Sequence, residues 1–402
     1  PNAWGGWHDG GDWDSRLTAT GLPCFMLMDV WEQLPAQSRD VSFGLPKSSE
    51  ILDPQLYAGT DGLSDVLHSA IFLLDFHRRM QEPSGATSGG TDNQEKEYLW
   101  EPSWLYRGPV MVYYPDHVST FIYAGLAAKL ARILGDLGFT ALASTYRTSA
   151  TAAWDWAEAI HTDQVRRDDH YGYLKISSGS QQGYLTDDEY RTNMDVLKSG
   201  VMGSRMLGAA CLLALTGEAR FREPIVVPAD CIGSWGAAAW EASNTKHLIS
   251  SLRGALRGAL VARADARYVA YLRGRNAYRN LQAAGFVSMA FGGAGTNMLD
   301  SGQAMIWAHK ITGNPVYLEA LQSNTAFIQG ANQNGISLTN GIGIRNLTET
   351  LHRDSQATGD ALPIGLTSEG WGNKFSVDFS RGQSFISYIQ EPNADSAVAN
   401  LS

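Results

Sequence analysis

Three times along this 402-residue chain a helical stretch stops on a glycine and restarts behind an aromatic. The three joints are Leu134-Gly135-Asp136-Leu137-Gly138-Phe139, Leu215-Thr216-Gly217-Glu218-Ala219-Arg220-Phe221 and Ile311-Thr312-Gly313-Asn314-Pro315-Val316-Tyr317. Glycine ends a helix by turning left-handed, and the ring that follows anchors the next one. This is an αα-hairpin used repeatedly. About a dozen helices in antiparallel pairs can stack as a solenoid or close into a toroid, and a ring of six hairpins fits the length. In such a ring the helix-end loops converge on one face and build a cleft. The expectation is an all-α fold forming one domain over residues 1–402.

The helical period supports this. Leu63, Val66, Leu67, Ala70, Ile71 and Leu74 fall on the i, i+3, i+4, i+7 stripe, while Phe72, Leu73 and Phe76 add a second apolar face. A helix apolar on two sides lies between other elements. Similar stretches predict helices over about 18–34, 117–135, 140–161, 193–216, 244–262, 298–312 and 315–330. Sustained strand alternation is scarce, with short β-rich pieces near 223–228, 336–345 and 375–389. The polar segments 82–99 and 162–190 read as long loops, which in a compact domain are functional or mobile.

Apolar residues make up 44% of the chain, enough for a sizeable core, and the net charge is −10. An acidic balance disfavours nucleic acid and anionic membranes. The longest apolar run, Leu207 to Leu215, is too short to cross a bilayer. Cys24, Cys211 and Cys231 are odd in number and match no metal-binding spacing, so they read as small buried hydrophobes. The chain begins abruptly on a motif, which suggests a leader or upstream domain that has been removed.

That motif is GGWHDGGDWDSR, residues 5–16. Adjacent glycines make Asp9-Gly10-Gly11-Asp12 a turn that aims two carboxylates at one point. Such a pair caps neighbouring turns, binds a hard cation, or shares a proton as a general base and its helper. Trp4, Trp7 and Trp13 flank it, and flat rings with polar edges are what sugar faces stack on.

Residues 4–16 resemble the GGWYDAGD signature of the inverting endoglucanase-type cellulases, glycoside hydrolase family 9. Four further stretches agree in order. Asp65–Ala70 continuing through Leu74–Gln81 is similar to the family's DLLDEA…LDWLLRMQ helix. Ile311–Leu318 resembles its TGDPxYL hairpin. Phe327–Asn332, with Ser337 and Gly341-Ile342-Gly343, resembles YLLGxNPxxxSFVTGxG. His352-Arg353 resembles the end of its PHHR motif. The resemblance spans about residues 4–395 and implies an (α/α)6 barrel with long loops forming a substrate cleft.

Residue by residue, the resemblance implies that Asp12 is the general base on water and Asp9 its partner. The general acid is a Glu near the C-terminus. Glu391 in Gln390-Glu391-Pro392-Asn393-Ala394-Asp395 matches best, and Glu369 is the fallback. Asp9 and Asp12 are too close together to be both acid and base, since inversion needs the two poles roughly 6.5–9.5 Å apart with a water between them. His352 and Arg353 would bond sugar hydroxyls. Trp371, Trp235, Trp104 and Tyr114 are candidate stacking platforms, and the Trp100, Trp104, Tyr106, Tyr113, Tyr114 cluster makes a subsite wall.

The implied substrate is a β-1,4-glucan-type polysaccharide or oligosaccharide, with secreted or periplasmic location, no nucleic-acid or membrane partner and no required cofactor. Calcium is common in the family, and the Asp-rich stretch near 161–190 is where it would bind. Gly10 in place of the commoner Ala, a single His where the family doubles it, and Asn332-Gln333 after Gly330 leave xyloglucan, mixed-linkage glucan and amino-sugar oligomers open. Two rival readings are a polysaccharide lyase on a similar toroid and a non-catalytic glycan-binding relative.

Overall fold

The computed structural model describes residues 3–8, 13–35, 39, 42–93, 102–174, 185–225, 236–274, 294–331, 335–346 and 352–366. Among them are thirteen α-helices and one small sheet. The helices are α1 (Leu17–Gln33), α2 (Ser48–Ile51), α3 (Asp65–Arg79), α4 (His117–Asp136), α5 (Thr140–Thr162), α6 (Gln164–Tyr171), α7 (Asp187–Gly200), α8 (Met202–Thr216), α9 (Gly236–Asn244), α10 (Ser250–Gly274), α11 (Ala294–Thr312), α12 (Pro315–Ile328) and α13 (Arg353–Thr358).

Helix α4 is the centre of the molecule. Sixteen of its twenty residues are buried, and it packs on α1, α5 and α8. It is long and apolar enough to cross a membrane, but its apolar faces are enclosed by the other helices. The Asp116 carboxylate caps its start by accepting from the Ser119 amide at 2.8 Å, which satisfies a backbone donor the helix cannot. The three expected joints carry their glycines in the left-handed region, Gly138 at φ +88°, Gly217 at +73° and Gly313 at +70°. Tyr317 is buried as the anchor of α12, with its hydroxyl donating to Asp265. At the middle joint Phe221 is buried in a 3-10 turn, Ala219–Phe221, instead of opening a helix.

Several boundaries differ from the sequence expectation. The stretch 193–216 is two helices, α7 and α8. The helix expected over 244–262 is α9 and α10, separated at residues 245–249. Residues 164–171, expected in a loop, form α6. Its helix has little apolar character and forms for local reasons: Asp163 Oδ1 accepts from the amides of Val165 and Arg166, and Arg167 donates to the last carbonyls of α5, Ile160 O and His161 O. Cys24 and Cys211 are buried, as expected, and Cys231 lies outside the described residues.

Strands form where they were not expected. β1 (Ser15–Arg16), β2 (Gly90–Asn93) and β3 (Val110–Val112) make an antiparallel sheet with β2 in the middle. Ser15 pairs with Thr91 and Arg16 with Gly90, then Thr91 with Val112 and Asn93 with Val110. β2 lies inside the segment expected as loop 82–99. Of the expected β-rich pieces, 336–345 contributes one bridge, Ser337 to Asn346, residues 223–224 are turn, and 226–228 and 375–389 lie outside the described residues.

At the end of α1 remote from this sheet, charges are stitched together across helices. Lys129 of α4 is fully buried, with Nζ 2.5 Å from Glu32 Oε2, 3.2 Å from Glu241 Oε2 and 3.6 Å from Asp29 Oδ1. Arg132 grips Glu32 with two bonds, at 2.7 and 3.0 Å, and Glu241 at 2.9 Å. Burial pushes the Asp29 carboxyl up, against the pull of Lys129. Burial also acts upward on Glu32, but Arg132 and Lys129 outweigh it and hold that carboxyl down.

Candidate active site

Arg16 is both the second residue of β1 and the N-cap of α1, so the opening motif runs into a buried helix with no loop between. The Leu17 amide continues the pairing by donating to Gly89 O at 2.8 Å. Upstream, Arg79 of α3 lies over the Trp4 ring at 4.3 Å and donates to Trp4 O at 2.6 Å. Trp4 therefore spends a face on packing. Downstream, Trp13 meets Tyr106 edge-to-face at 5.2 Å.

The third acid of the motif, Asp14, is buried and structural. Arg16 Nη2 donates to its Oδ2 at 2.6 Å, and the Asn93 amide to its Oδ1 at 3.0 Å. The Arg16 guanidinium lies 5.7 Å from the Tyr113 ring centroid. Burial, followed by a hydrogen bond to Asp92, pushes the Tyr113 phenol up to about 12. Tyr113 is thus a neutral strut beside the sheet.

Asp9, Asp12, Trp235, Trp371, Glu369, Glu391 and Trp100 lie outside the described residues. Trp104, Tyr114 and His352 lie within them, and Arg353 is the first residue of α13. Trp104 sits on a 3-10 turn, Ser103–Leu105, with 67% of its surface open. Asp354 of α13 holds that turn: its Oδ1 accepts from the Ser103 amide at 2.6 Å and its Oδ2 from Ser103 Oγ at 2.8 Å. His352 caps the same helix. Its Nδ1 accepts from the Ser355 amide at 3.2 Å and lies 2.9 Å from Ser355 Oγ. A backbone N–H has only one role, so Nδ1 carries no proton in this arrangement and the neutral ring keeps its hydrogen on Nε2, as a donor. Three stretches far apart in sequence are thereby joined: Trp13 contacts Tyr106, the neighbouring Ser103 contacts Asp354, and His352 lies on the same short helix.

Tyr114 is 53% exposed and Tyr173, in the middle of the turn after α6, is 51% exposed. Their rings meet edge-on at 5.0 Å, and His170 stacks behind Tyr114 at 4.7 Å. His170 Nε2 donates to Pro115 O at 2.8 Å, which fixes the stacked ring. Beneath them the Tyr171 hydroxyl accepts from the His117 amide at 3.1 Å and lies 2.8 Å from His117 Nδ1. Burial and then the charges of His161, Arg167 and His170 hold the His117 imidazole down to about 3, so it is a neutral part of the scaffold. Sequence reasoning found Tyr114 but not Tyr173, Asp354 or Asn93. Their contacts join residues separated by tens to hundreds of positions, and no local pattern marks them.

The stretch near 161–190 was expected to offer calcium ligands. Asp163 there caps α6, and Asp168 accepts from the Tyr190 hydroxyl at 3.1 Å. Among the described residues, one group of three carboxylates draws close enough for a cation, Asp29, Glu32 and Glu241. Lys129 and Arg132 already fill that role, so the group does not suit a metal.

Because Asp354 bolts α13 to the Trp104 turn, Asp354→Ala should let both drift. If Trp104 and His352 meet sugar as the sequence reading expects, the outcome is a KM for soluble glucan raised about tenfold, the order of one lost charge-assisted hydrogen bond, with kcat changed less. Equal kinetics in variant and parent would show that the bolt does not serve the site.

The whole-chain comparison decides the family: the profile of glycosyl hydrolase family 9 matches residues 2–375. The chain belongs to glycosyl hydrolase family 9. The cellulose 1,4-beta-cellobiosidase of Acetivibrio thermocellus is 22% identical over 418 residues, which cover 92% of this chain and 43% of that protein. The solved family 9 endoglucanase J30 is 22% identical, covering 94% of this chain and 66% of its own, with a TM-score of 0.69. The structure of AaCel9A in complex with cellobiose-like isofagomine is 16% identical, covering 96% and 69%, again with a TM-score of 0.69. The chain thus spans under half the length of the curated relative and about two thirds of the solved ones. Membership of family 9 and these likenesses make the fold an (α/α)6 barrel, as the resemblance implied and in agreement with the hairpin count.

Proposed function

We propose that this family 9 chain hydrolyses β-1,4-linked glucan in the endoglucanase manner, with inversion, as an extracellular enzyme. Asp12, helped by Asp9, takes a proton from water. The water oxygen attacks the anomeric carbon as the glycosidic C–O bond breaks, and the leaving oxygen takes its proton from Glu391. The observation that carries this reading is the chain of contacts from Trp13 through Tyr106 and Ser103 to Asp354. It ties the end of the paired-carboxylate motif to the helix that begins at His352-Arg353. Exposed Trp104, Tyr114 and Tyr173 supply flat rings for sugar faces. The relatives named a cellobiosidase and an endoglucanase, and the one solved with a cellobiose-like ligand, support the choice of substrate.

The test is release of reducing ends from carboxymethylcellulose and barley glucan, with the anomer of the fresh product read by proton NMR. New α-anomer supports the proposal. Products carrying an ultraviolet-absorbing double bond would mean a lyase, and binding without turnover a non-catalytic relative. Glu391→Gln should lower kcat on cello-oligosaccharides by about 10²–10⁴-fold. On aryl glycosides whose phenol needs no proton to leave, the drop should be much smaller. Equal loss on both substrates would move the acid elsewhere.

A further inference from the structure

A cavity of about 590 Å³ opens at the end of α1 remote from the opening motif, and every residue that lines it is among the described ones. The 17 residues of α1 put it about 25 Å from Arg16. Its volume falls within the about 300–1,000 Å³ usual for small-molecule sites. Four helices bring their C-terminal ends to it. Gln33 is the last residue of α1 and Asn244 of α9, Ala214 lies in the final turn of α8, and Arg132 one turn before the end of α4. Carbonyls at such ends lack intrahelical donors, and Arg39 serves two of those at α1, Glu32 O at 2.7 Å and Leu34 O at 2.9 Å. Three carboxylates line the cavity, Asp29, Glu32 and Glu241. Three cations balance them: Lys129, Arg132 and Lys310, whose charge reaches Asp29. Glu32 and Glu241 both accept hydrogen bonds from Lys129 and Arg132. Asp29 differs. Its side chain is 10% exposed, and among the described residues it accepts no hydrogen bond; the Lys129 ammonium stops 3.6 Å from its Oδ1. A buried carboxylate without donors is costly, and the space that Asp29 faces is this cavity. Trp240 lines it too. Its half-buried indole is held in a parallel stack on Trp307, with ring centroids 5.7 Å apart at 10°.

We propose that this cavity is a second sugar site, a helix length from the opening motif, which takes one short neutral saccharide with a hydroxyl donating to Asp29 and a ring face against Trp240. Charge decides the class. Three cations already answer the three carboxylates, which leaves little to draw a metal ion or an organic cation, while the carboxylates repel a phosphate or a uronate. A neutral polyol meets neither objection. Each hydroxyl both donates and accepts, so it serves Asp29 and the helix-end carbonyls on one side and the amides of Gln33 and Asn244 on the other. The C–H face of a pyranose suits a flat indole with a polar edge. The choice of a β-1,4-linked glucose pair among neutral sugars rests on the glucan activity proposed above, whereas the site itself is argued without it.

The test is amide hydrogen exchange read peptide by peptide, with cellobiose as the probe at millimolar concentration. Cellobiose should slow exchange in peptides covering 29–33 and 240–247, and the dependence on its concentration gives a dissociation constant. Asp29→Ala should raise that constant about tenfold, the scale of one charge-assisted hydrogen bond. Ala214→Phe fills the cavity while leaving Asp29 and Trp240 in place, and should abolish the protection there. Melting temperatures establish that both variants are folded. Protection confined to peptides on the sheet side, 13–16 and 103–106, would put the sugar in the cleft alone and overturn the proposal. So would protection at 240–247 that survives both substitutions, or charged glucosamine or glucuronate protecting these peptides where cellobiose does not. No turnover is read. A positive result therefore stands whether or not Asp12 is the base, and a failure here leaves the proposed hydrolysis untouched.

Discussion

Asp12→Asn is expected to cut kcat by about 10²–10⁴-fold, the range that a positioned general base contributes, while cello-oligosaccharides still bind. The substitution keeps the size and most of the hydrogen bonding of the side chain but removes the only form able to accept a proton from water. Binding should survive because it is assigned to other groups, the Nε2–H of His352 and the exposed rings of Trp104 and Tyr114. The flanking structure should survive too. Trp13 rests on Tyr106, and Asp14 is held by Arg16 and the Asn93 amide, none of which needs the Asp12 charge. Kinetics on soluble glucan and calorimetry with a cello-oligosaccharide check the two halves separately. Turnover at the parental rate would return the Asp9–Asp12 pair to a turn-capping role.

Lys129→Met should destabilise the fold by about 3–5 kcal/mol, the usual cost of removing one partner from a buried ion cluster. The side chain is fully buried, and three carboxylates face it. Arg132 remains to satisfy Glu32 and Glu241, but among the described residues Asp29 makes no other salt bridge, and it is already pushed up by burial. The sign of the pH dependence should reverse. In the parent, Glu32 is held below its ordinary value, so its contribution is present above about pH 4.5 and is lost as pH falls through the folded value. Without Lys129 the Asp29 carboxyl, already pushed up by burial, rises further, and Glu32 loses part of what holds it down. The variant should then lose stability as pH rises from about 4 towards 7, where they ionise without compensation. Melting temperatures of both proteins across that range provide the check. Parallel curves would mean that the cluster is neutralised by Arg132 alone.

Much of the fold was legible because a buried helix writes its period into the sequence. The edges of α1, α4, α5, α11 and α12 fall close to the expected positions, and Gly138, Gly217 and Gly313 turn where the joints require. What escaped was structure made by few residues or by distant ones. Helix α6 needs an Asp163 cap and Arg167 on the carbonyls of α5, and has almost no apolar stripe to reveal it. Strands of two to four residues cannot display alternation, and β1 finds its partner some 75 positions away. Of the expected site residues, Trp104 and Tyr114 are open rings, while Asp9, Asp12 and Glu391 lie outside the described residues. The Ser103–Asp354 link spans 251 positions and joins two common polar residues, which no local pattern could single out. The tryptophans of the motif were read together, yet Trp4 packs on Arg79 and Trp13 on Tyr106.

The direct passage from β1 into α1 has a consequence for how such a chain can change. Gly21, one turn into α1, lies so close to Ile122 that a single added methyl would sit 2.7 Å from its side chain. A helix seated that tightly cannot slide or tilt to suit a new arrangement at its front end. New sugars can be accommodated by swapping the open rings at Trp104, Tyr114 and Tyr173, since these bear little of the core. The proposed proton-accepting pair enjoys no such freedom: three residues after Asp12 the chain enters β1 and then this tightly seated helix, so small defects deep inside would be felt first as slower chemistry.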